Sequence, residues 1–113
     1  MGKYAEFTAY RQKLNEKILE QGNLEIKRFF ALDGQAYQPG ALTTKTKELL
    51  GLAASMVLRC DDCISYHLMR CRDEGVTREE FDEAFNIALV GGGSIIIPHL
   101  RFAAERLESL LEK

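Results

Sequence analysis

Apolar residues recur every three or four positions along almost the whole chain, and this helical period restricts its possible folds more than any other feature. The first segment shows the pattern with Phe7, Tyr10, Leu14 and Ile18. No stretch alternates apolar and polar residues for long enough to indicate a β-strand. The sequence therefore predicts an all-α fold, a compact domain of about six helices.

Glycine, proline and capping residues predict where the first helices begin and end. We expect a helix over residues 4–21 that stops at Gly22. A second helix begins near Asn23, which can cap it, and brings its apolar residues to the core. Residues 33–40 contain two glycines and a proline, so this segment is predicted to be a loop.

The middle of the chain carries two further helices separated by a short break. Thr43 or Thr44 caps the third helix, which is expected to run to about residue 59 and to lie centrally because several of its residues are small. A break at residues 60–62 leads into a fourth helix that ends at Gly75, a typical glycine after a helix C-terminus.

The last two helices are marked by a capping box and by a run of glycines. Thr77 and Glu80 have the spacing of a capping box and predict a helix over residues 78–90. The three glycines at residues 91–93 break the chain, and Ser94 is expected to cap a final helix that runs to about residue 111.

Composition excludes several classes of function. The 113 residues are 46% hydrophobic, enough for one domain over residues 1–113. The net charge is -2 and the basic residues are interleaved with acidic ones, so nucleic acid is not an expected partner. No apolar run approaches the roughly 20 residues of a membrane helix, and the first residues lack the apolar core of a signal peptide. We expect a soluble, cytoplasmic protein that does not bind membranes.

The chemistry of the chain is concentrated at Cys60 and Cys63, which are followed by His67. If a helix begins near residue 61, Cys60 is its N-cap and Cys63 lies in its first turn, where the helix dipole stabilises thiolates. His67 is one turn beyond Cys63, which makes Cys63 the thiol best placed for activation, with Cys60 close enough to form a disulfide with it. The reverse assignment stays open.

Glu48 adds a carboxylate twelve residues before Cys60. An ideal antiparallel helix pair would leave Glu48 offset from His67 along the helix axes. A steep helix crossing, a shortened turn, a bridging water or a neighbouring subunit are the alternative ways of bringing this carboxylate to the imidazole.

The spacing of Glu48, Cys60, Cys63 and His67 resembles the alkyl hydroperoxidase D-like branch of the carboxymuconolactone decarboxylase family, and the resemblance covers about residues 42–110. It implies an all-helical fold that forms homotrimers or homohexamers. It also implies a cofactor-free peroxidase in which the two cysteines reduce hydroperoxides and the histidine and glutamate relay protons. The implied electron donor is a dithiol, either a lipoylated or a thioredoxin-like protein.

One position departs from the pattern of this family. Asp62 lies before the second cysteine, where the well-studied members carry a histidine. A carboxylate there is expected to raise the pKa of a neighbouring thiol.

Self-association is also expected from the residues themselves. Domains of this size bury only about 60 to 65% of their unfolded surface. The three isoleucines at residues 95–97 put apolar side chains on more than one face of their helix. Both features favour a homo-oligomer.

Other functions compete with the peroxidase interpretation. A metal site would use Cys60, Cys63 and His67 with His99 or Cys71 as a fourth ligand. A redox-sensing module would oxidise the cysteine pair without turnover. For Cys71 a buried core position is the better interpretation, and for His99 a structural role is.

A further alternative is a decarboxylase-like enzyme of the same family. It would use Glu48 and His67 as acid and base, with the thiols only lining the site.

Overall fold

A computed structural model describes residues 3–112 of the chain. This part of the chain contains six α-helices and a short 3-10 helix, with no strand. The all-α prediction is therefore confirmed. The helices are α1 (Lys3–Gln21), α2 (Leu24–Ala36), α3 (Thr44–Val57), α4 (Asp61–Asp73), α5 (Arg78–Gly92) and α6 (Ile97–Leu111), with the 3-10 helix at Ser94–Ile96.

The helices divide into two units, of which the first comprises α1 and α2, up to residue 38. Asn23 caps α2 as predicted, because its side-chain oxygen accepts a hydrogen bond from the backbone N–H of Ile26 at 3.0 Å. The predicted loop at residues 33–40 is partly wrong, since α2 continues to Ala36. The good helix formers around Asp33 and Gly34 outweigh the helix-breaking tendency of that pair.

The apolar residues of α2 do not enter a core, contrary to the expectation from their spacing. No residue of this helix is buried, and four large apolar side chains are exposed, namely Leu24, Ile26, Phe29 and Leu32. The helical spacing of the apolar residues predicted α2 correctly. The same spacing does not predict whether another surface covers the apolar face of this helix.

The second unit comprises α3 to α6 and contains the buried core. Helix α3 packs against both α4 and α5, and α4 packs against α6. This central position of α3 agrees with its small residues. The fully buried side chains of the core include Leu52, Met56, Ile64, Leu68, Phe81, Ile96 and Leu107.

The predicted caps of this unit are largely present. Thr43 caps α3 by accepting from the backbone N–H of Thr46 at 3.1 Å. In α5 both bonds of the capping box form, at 3.2 Å to the side chain of Thr77 and 2.9 Å to that of Glu80. Gly75 follows the end of α4 with a φ of 85°, a conformation that favours glycine.

The glycine run differs from its prediction. Helix α5 continues through Gly92, and the chain turns at Gly93, whose φ is 83°. Ser94 does not cap α6, because it begins the 3-10 helix instead. Of the three isoleucines that follow, Ile96 is buried while its two neighbours are exposed.

None of the helices described is both long and apolar enough to cross a membrane.

Candidate active site

The turn between α3 and α4 places the first cysteine. The N–H of Arg59 donates to the carbonyl of Met56, and the N–H of Cys60 donates to the carbonyl of Ser55, each at 3.0 Å. These two bonds close the C-terminus of α3, with Arg59 in the left-handed region at a φ of 61°. This conformation is costly for a residue other than glycine, and it leads directly to Cys60 at the N-cap of α4.

Cys60 and Cys63 occupy the predicted positions at the start of α4. Cys60 is the N-cap, its Sγ accepts a hydrogen bond from the backbone N–H of Cys63 at 3.2 Å, and a disulfide joins the two residues. Both are only half-buried. The amide groups of the first turn can stabilise a thiolate here, while the carboxylates of Asp61 and Asp62 oppose it.

Glu48 and His67 meet between α3 and α4 of the same chain. Oε1 of Glu48 lies 2.7 Å from Nδ1 of His67. Glu48 is 1% exposed and the side chain of His67 is 13% exposed. When Nδ1 carries the proton it donates to the carboxylate, which leaves Nε2 as the ring nitrogen that can take or give a proton.

A short turn explains why the two residues meet without a second subunit. Helix α3 ends at Val57, two residues before the predicted end, so Glu48 lies about 13.5 Å along the axis from the end of its helix. His67 lies about 9 Å from the start of α4. The remaining offset of roughly one helical turn is within the reach of the two side chains.

Arg70 is a member of the cluster that the sequence analysis missed. Its Nε lies 3.5 Å from Oε2 of Glu48, and its Nη2 donates to Glu74 at 3.2 Å. Burial acts to lower the pKa of Arg70, but the charge of Glu48 and the bond to Glu74 outweigh it and the pKa is raised. Arg70 therefore stays positive and helps to offset the charge of a buried carboxylate. The signal in the sequence that could have identified Arg70 was its position about one helical turn after His67.

Two further residues of α4 border this cluster. Cys71 is fully buried and outside the disulfide, and burial together with the charge of Glu48 raises its pKa from 9.0 to about 12. Its thiol therefore stays protonated at neutral pH and is a poor nucleophile. The ring of Tyr66 meets that of His67 edge to face, with centroids 5.1 Å apart.

His99, for which a structural role was expected, contacts the start of α4. Its Nδ1 lies 2.7 Å from Oδ1 of Asp61, the first residue of α4. The ligand set of the metal alternative is not assembled, because the sulfurs of Cys60 and Cys63 are joined in a disulfide. Over residues 3–112, no group of three or more histidine, cysteine or acidic side chains could hold a metal ion.

The sequence pattern of the Carboxymuconolactone decarboxylase family matches residues 24–106, which is most of the chain. The chain belongs to this family. Curated relatives match over a shorter stretch. An uncharacterized protein from the cox locus of Paracoccus denitrificans is 38% identical over 60 residues, which are 53% of this chain and 54% of that protein. An uncharacterized protein of Cupriavidus necator is 37% identical over 59 residues, 50% of this chain and 52% of that one. This chain thus spans about half the length of these relatives.

Solved structures of the carboxymuconolactone decarboxylase family resemble the whole fold. The crystal structure of TM1620 from Thermotoga maritima has a TM-score of 0.93 and 61% identity, over 95% of this chain and 94% of that one. A second structure of TM1620 is described as that of a family protein that is a candidate for involvement in an antioxidative response. The apo form of lpg0406 from Legionella pneumophila, also a family protein, has a TM-score of 0.86 and 28% identity over 96% of both chains.

Proposed function

We propose that this protein is a thiol-dependent peroxidase, with the peroxiredoxin-type activity of an alkyl hydroperoxidase. Cys60 and Cys63 are its redox pair, and Glu48 and His67 relay protons. The observation that carries the proposal is the 2.7 Å contact between a buried carboxylate and an imidazole one turn along α4 from a disulfide-bonded cysteine pair. Thiols, a base and a carboxylate that orients the base are the components of an activated nucleophile.

The first half of the cycle consumes the hydroperoxide. The thiolate of Cys63 attacks the terminal oxygen, an S–O bond forms and the O–O bond breaks. His67 gives the leaving alkoxide a proton, so the products are an alcohol and a sulfenic acid on Cys63. We assign the attack to Cys63 because His67 lies four residues beyond it on α4.

The second half regenerates the dithiol. The thiolate of Cys60 attacks the sulfur of the sulfenic acid, the S–S bond forms, and hydroxide leaves with a proton as water. An external dithiol then returns two electrons and two protons to the disulfide. Overall, one hydroperoxide and one external dithiol become an alcohol, water and an external disulfide.

The partners of this cycle belong to the proposal. The half-buried disulfide at the start of α4 can be reached by a protein-bound dithiol, and we propose a lipoylated or thioredoxin-like donor. A donor of this type calls for a reducing compartment, so a cytoplasmic location is part of the same proposal. No cofactor enters the cycle.

An exposed apolar groove between α3 and α5 supports self-association. Its volume is about 280 Å³, and most of its lining consists of apolar side chains, among them Leu49, Leu50, Ala53, Ala84 and Ile87. Val90 on the same helix as Ile87 is 86% exposed. We propose that a second copy of the chain covers this face in a homotrimer or homohexamer, since exposed apolar patches of this kind commonly mark interfaces. A monomeric mass by light scattering at micromolar concentration would count against it.

Steady-state turnover with a defined donor tests the proposed activity. The reduced protein is mixed with cumene hydroperoxide and dihydrolipoamide, and peroxide loss is followed. We expect Cys60→Ser and Cys63→Ser each to lose nearly all catalytic turnover, while Cys71→Ser retains it because that thiol is buried and protonated. Full turnover by both single variants would overturn the proposal.

The pair of Glu48 and His67 also supports a second candidate, an acid/base enzyme acting on a lactone acid. The two candidates make opposite predictions for the double variant Cys60→Ser/Cys63→Ser. Decarboxylation of γ-carboxymuconolactone that survives this double substitution would favour the second candidate, and its absence in the wild-type protein would exclude it.

A further inference from the structure

A second pair of a carboxylate and an imidazole lies at the start of α4, where Cys60 is the N-cap. Nδ1 of His99, in the first turn of α6, lies 2.7 Å from Oδ1 of Asp61. The residues are 38 positions apart in sequence, so the contact depends on the packing of α6 against α4. The side chain of Asp61 is 46% exposed and that of His99 is 23% exposed.

The position of Asp61 makes this contact relevant to the thiols. Asp61 follows Cys60 directly, and Cys63 lies two residues further in the same turn. A negative carboxylate in the same helical turn disfavours the ionised form of these thiols. A hydrogen bond from the ring N–H of His99 partly compensates the negative charge of the carboxylate and fixes the orientation of the Asp61 side chain. The carboxylate of Asp62, in the same turn, has no hydrogen bond or ion pair within residues 3–112 and so has no such counterpart.

We infer that His99 is a positioning residue of the thiol pair, which holds the carboxylate of Asp61 and thereby favours the reduced, ionised form of Cys60. The inference rests on the proposed redox role of the pair. Its consequence is measurable on the thiols themselves, without peroxidase turnover. Removal of His99 frees the carboxylate, so the thiolate becomes less stable and the disulfide becomes the more favoured state.

The test follows the ionisation of Cys60 in a Cys63→Ser background, where a disulfide within the pair cannot form. Thiolate absorbance near 240 nm is recorded against pH, and Cys71 stays silent because burial keeps its thiol protonated. We expect His99→Ala to move the titration to higher pH, with the ratio of thiolate to thiol at a fixed pH lowered roughly two- to fivefold, as for a partly exposed charge interaction. His99→Asn retains a side-chain N–H and should recover most of this loss.

Two backgrounds separate the electrostatic role from a purely structural one. In Asp61→Asn the carboxylate is gone, so adding His99→Ala should change the ratio by less than about 1.5-fold, as expected for two residues acting through one contact. In the matched control Asp62→Asn, the full effect of His99→Ala should persist. An equal effect of His99→Ala in both backgrounds, or none in either, would overturn the inference.

Equilibrium with dithiothreitol provides a second readout that leaves both cysteines in place. His99→Ala should shift the equilibrium toward the disulfide by a similar factor, and a tenfold shift would correspond to about 30 mV. An unchanged equilibrium together with an unchanged titration would contradict the role of His99. If the thiol measurements agree while hydroperoxide turnover is absent, the peroxidase proposal fails and the inference about His99 stands.

Discussion

Oε1 of Glu48 lies 2.7 Å from Nδ1 of His67, so a carboxylate almost excluded from water holds the imidazole one turn beyond Cys63. The contact joins α3 to α4, the two helices connected by the turn that also places Cys60. The second oxygen of the same carboxylate faces Arg70 at 3.5 Å. The negative charge of Glu48 is therefore compensated by residues of the same chain. Its two partners, His67 and Arg70, can be replaced one at a time.

Replacement of Glu48 by glutamine tests the charge of the relay while conserving its shape. The amide can still accept a hydrogen bond from His67 but no longer stabilises the imidazolium. We expect kcat/KM for hydroperoxide to fall by about 10- to 100-fold, at or below the lower end of the range for general acid–base groups, because the imidazole itself is retained. The matched control is Glu79→Gln at an exposed position of α5, which should stay within twofold of wild type. Equal rates for Glu48→Gln and the control would show that the carboxylate takes no part.

Replacement of Arg70 by glutamine tests the positive charge that faces Glu48. With this permanent charge gone, the almost fully buried carboxylate loses a compensating partner 3.5 Å away. Because Arg70 is partly exposed, we expect the free energy of unfolding, measured by denaturant melts, to fall by only about 1 kcal/mol. Arg70→Lys should recover part of this loss, because it keeps the charge without the fork of donors.

Arg72→Gln is the control for this experiment. Arg72 is exposed, pairs with Asp73 and lies two residues after Arg70 on the same helix. Its removal should change the free energy of unfolding by less than about 0.5 kcal/mol, as is usual for an exposed ion pair. Equal losses in both variants would indicate a general effect of charge rather than a contact with Glu48.

Cys71 predicts a specific loss of stability in alkali. Burial and the charge of Glu48 raise its pKa from 9.0 to about 12, so above pH 9 the unfolded chain binds fewer protons than the folded protein. The free energy of unfolding must then fall as pH rises, by up to about 1.4 kcal/mol per pH unit for one thiol. Denaturant melts of the disulfide form above pH 9 should show a steeper fall for wild type than for Cys71→Ala. Parallel curves would contradict a raised pKa.

Local features of the fold were predictable because they depend on neighbours in sequence. The capping box of Thr77 and Glu80 and the N-cap position of Cys60 follow from spacings of three residues, and both are present. Asp33 and Gly34 failed as a loop signal because the tendency of a dipeptide is weak against a helical context. Ser94 failed as a cap because a 3-10 helix begins there.

Contacts between distant parts of the chain were harder to predict. The four residues of the predicted site were chosen for their spacing. The offset between Glu48 and His67 depends on where α3 ends, and helix ends are the least certain part of a sequence prediction. Arg70 was not predicted as part of the site, because its contact with Glu48 joins two different helices. The contact of His99 with Asp61 spans 38 positions and has no local signal in the sequence.

The most direct test of the central claim is the stoichiometry of a single turnover. Reduced wild-type protein is mixed with less than one equivalent of cumene hydroperoxide, and the remaining peroxide, the free thiols and the mass of the peptide containing Cys60 and Cys63 are measured after acid quench. The proposed cycle predicts one alcohol formed and two thiols lost for each hydroperoxide, with the loss confined to a disulfide between these two residues. Unconsumed hydroperoxide with both thiols still titratable would contradict it.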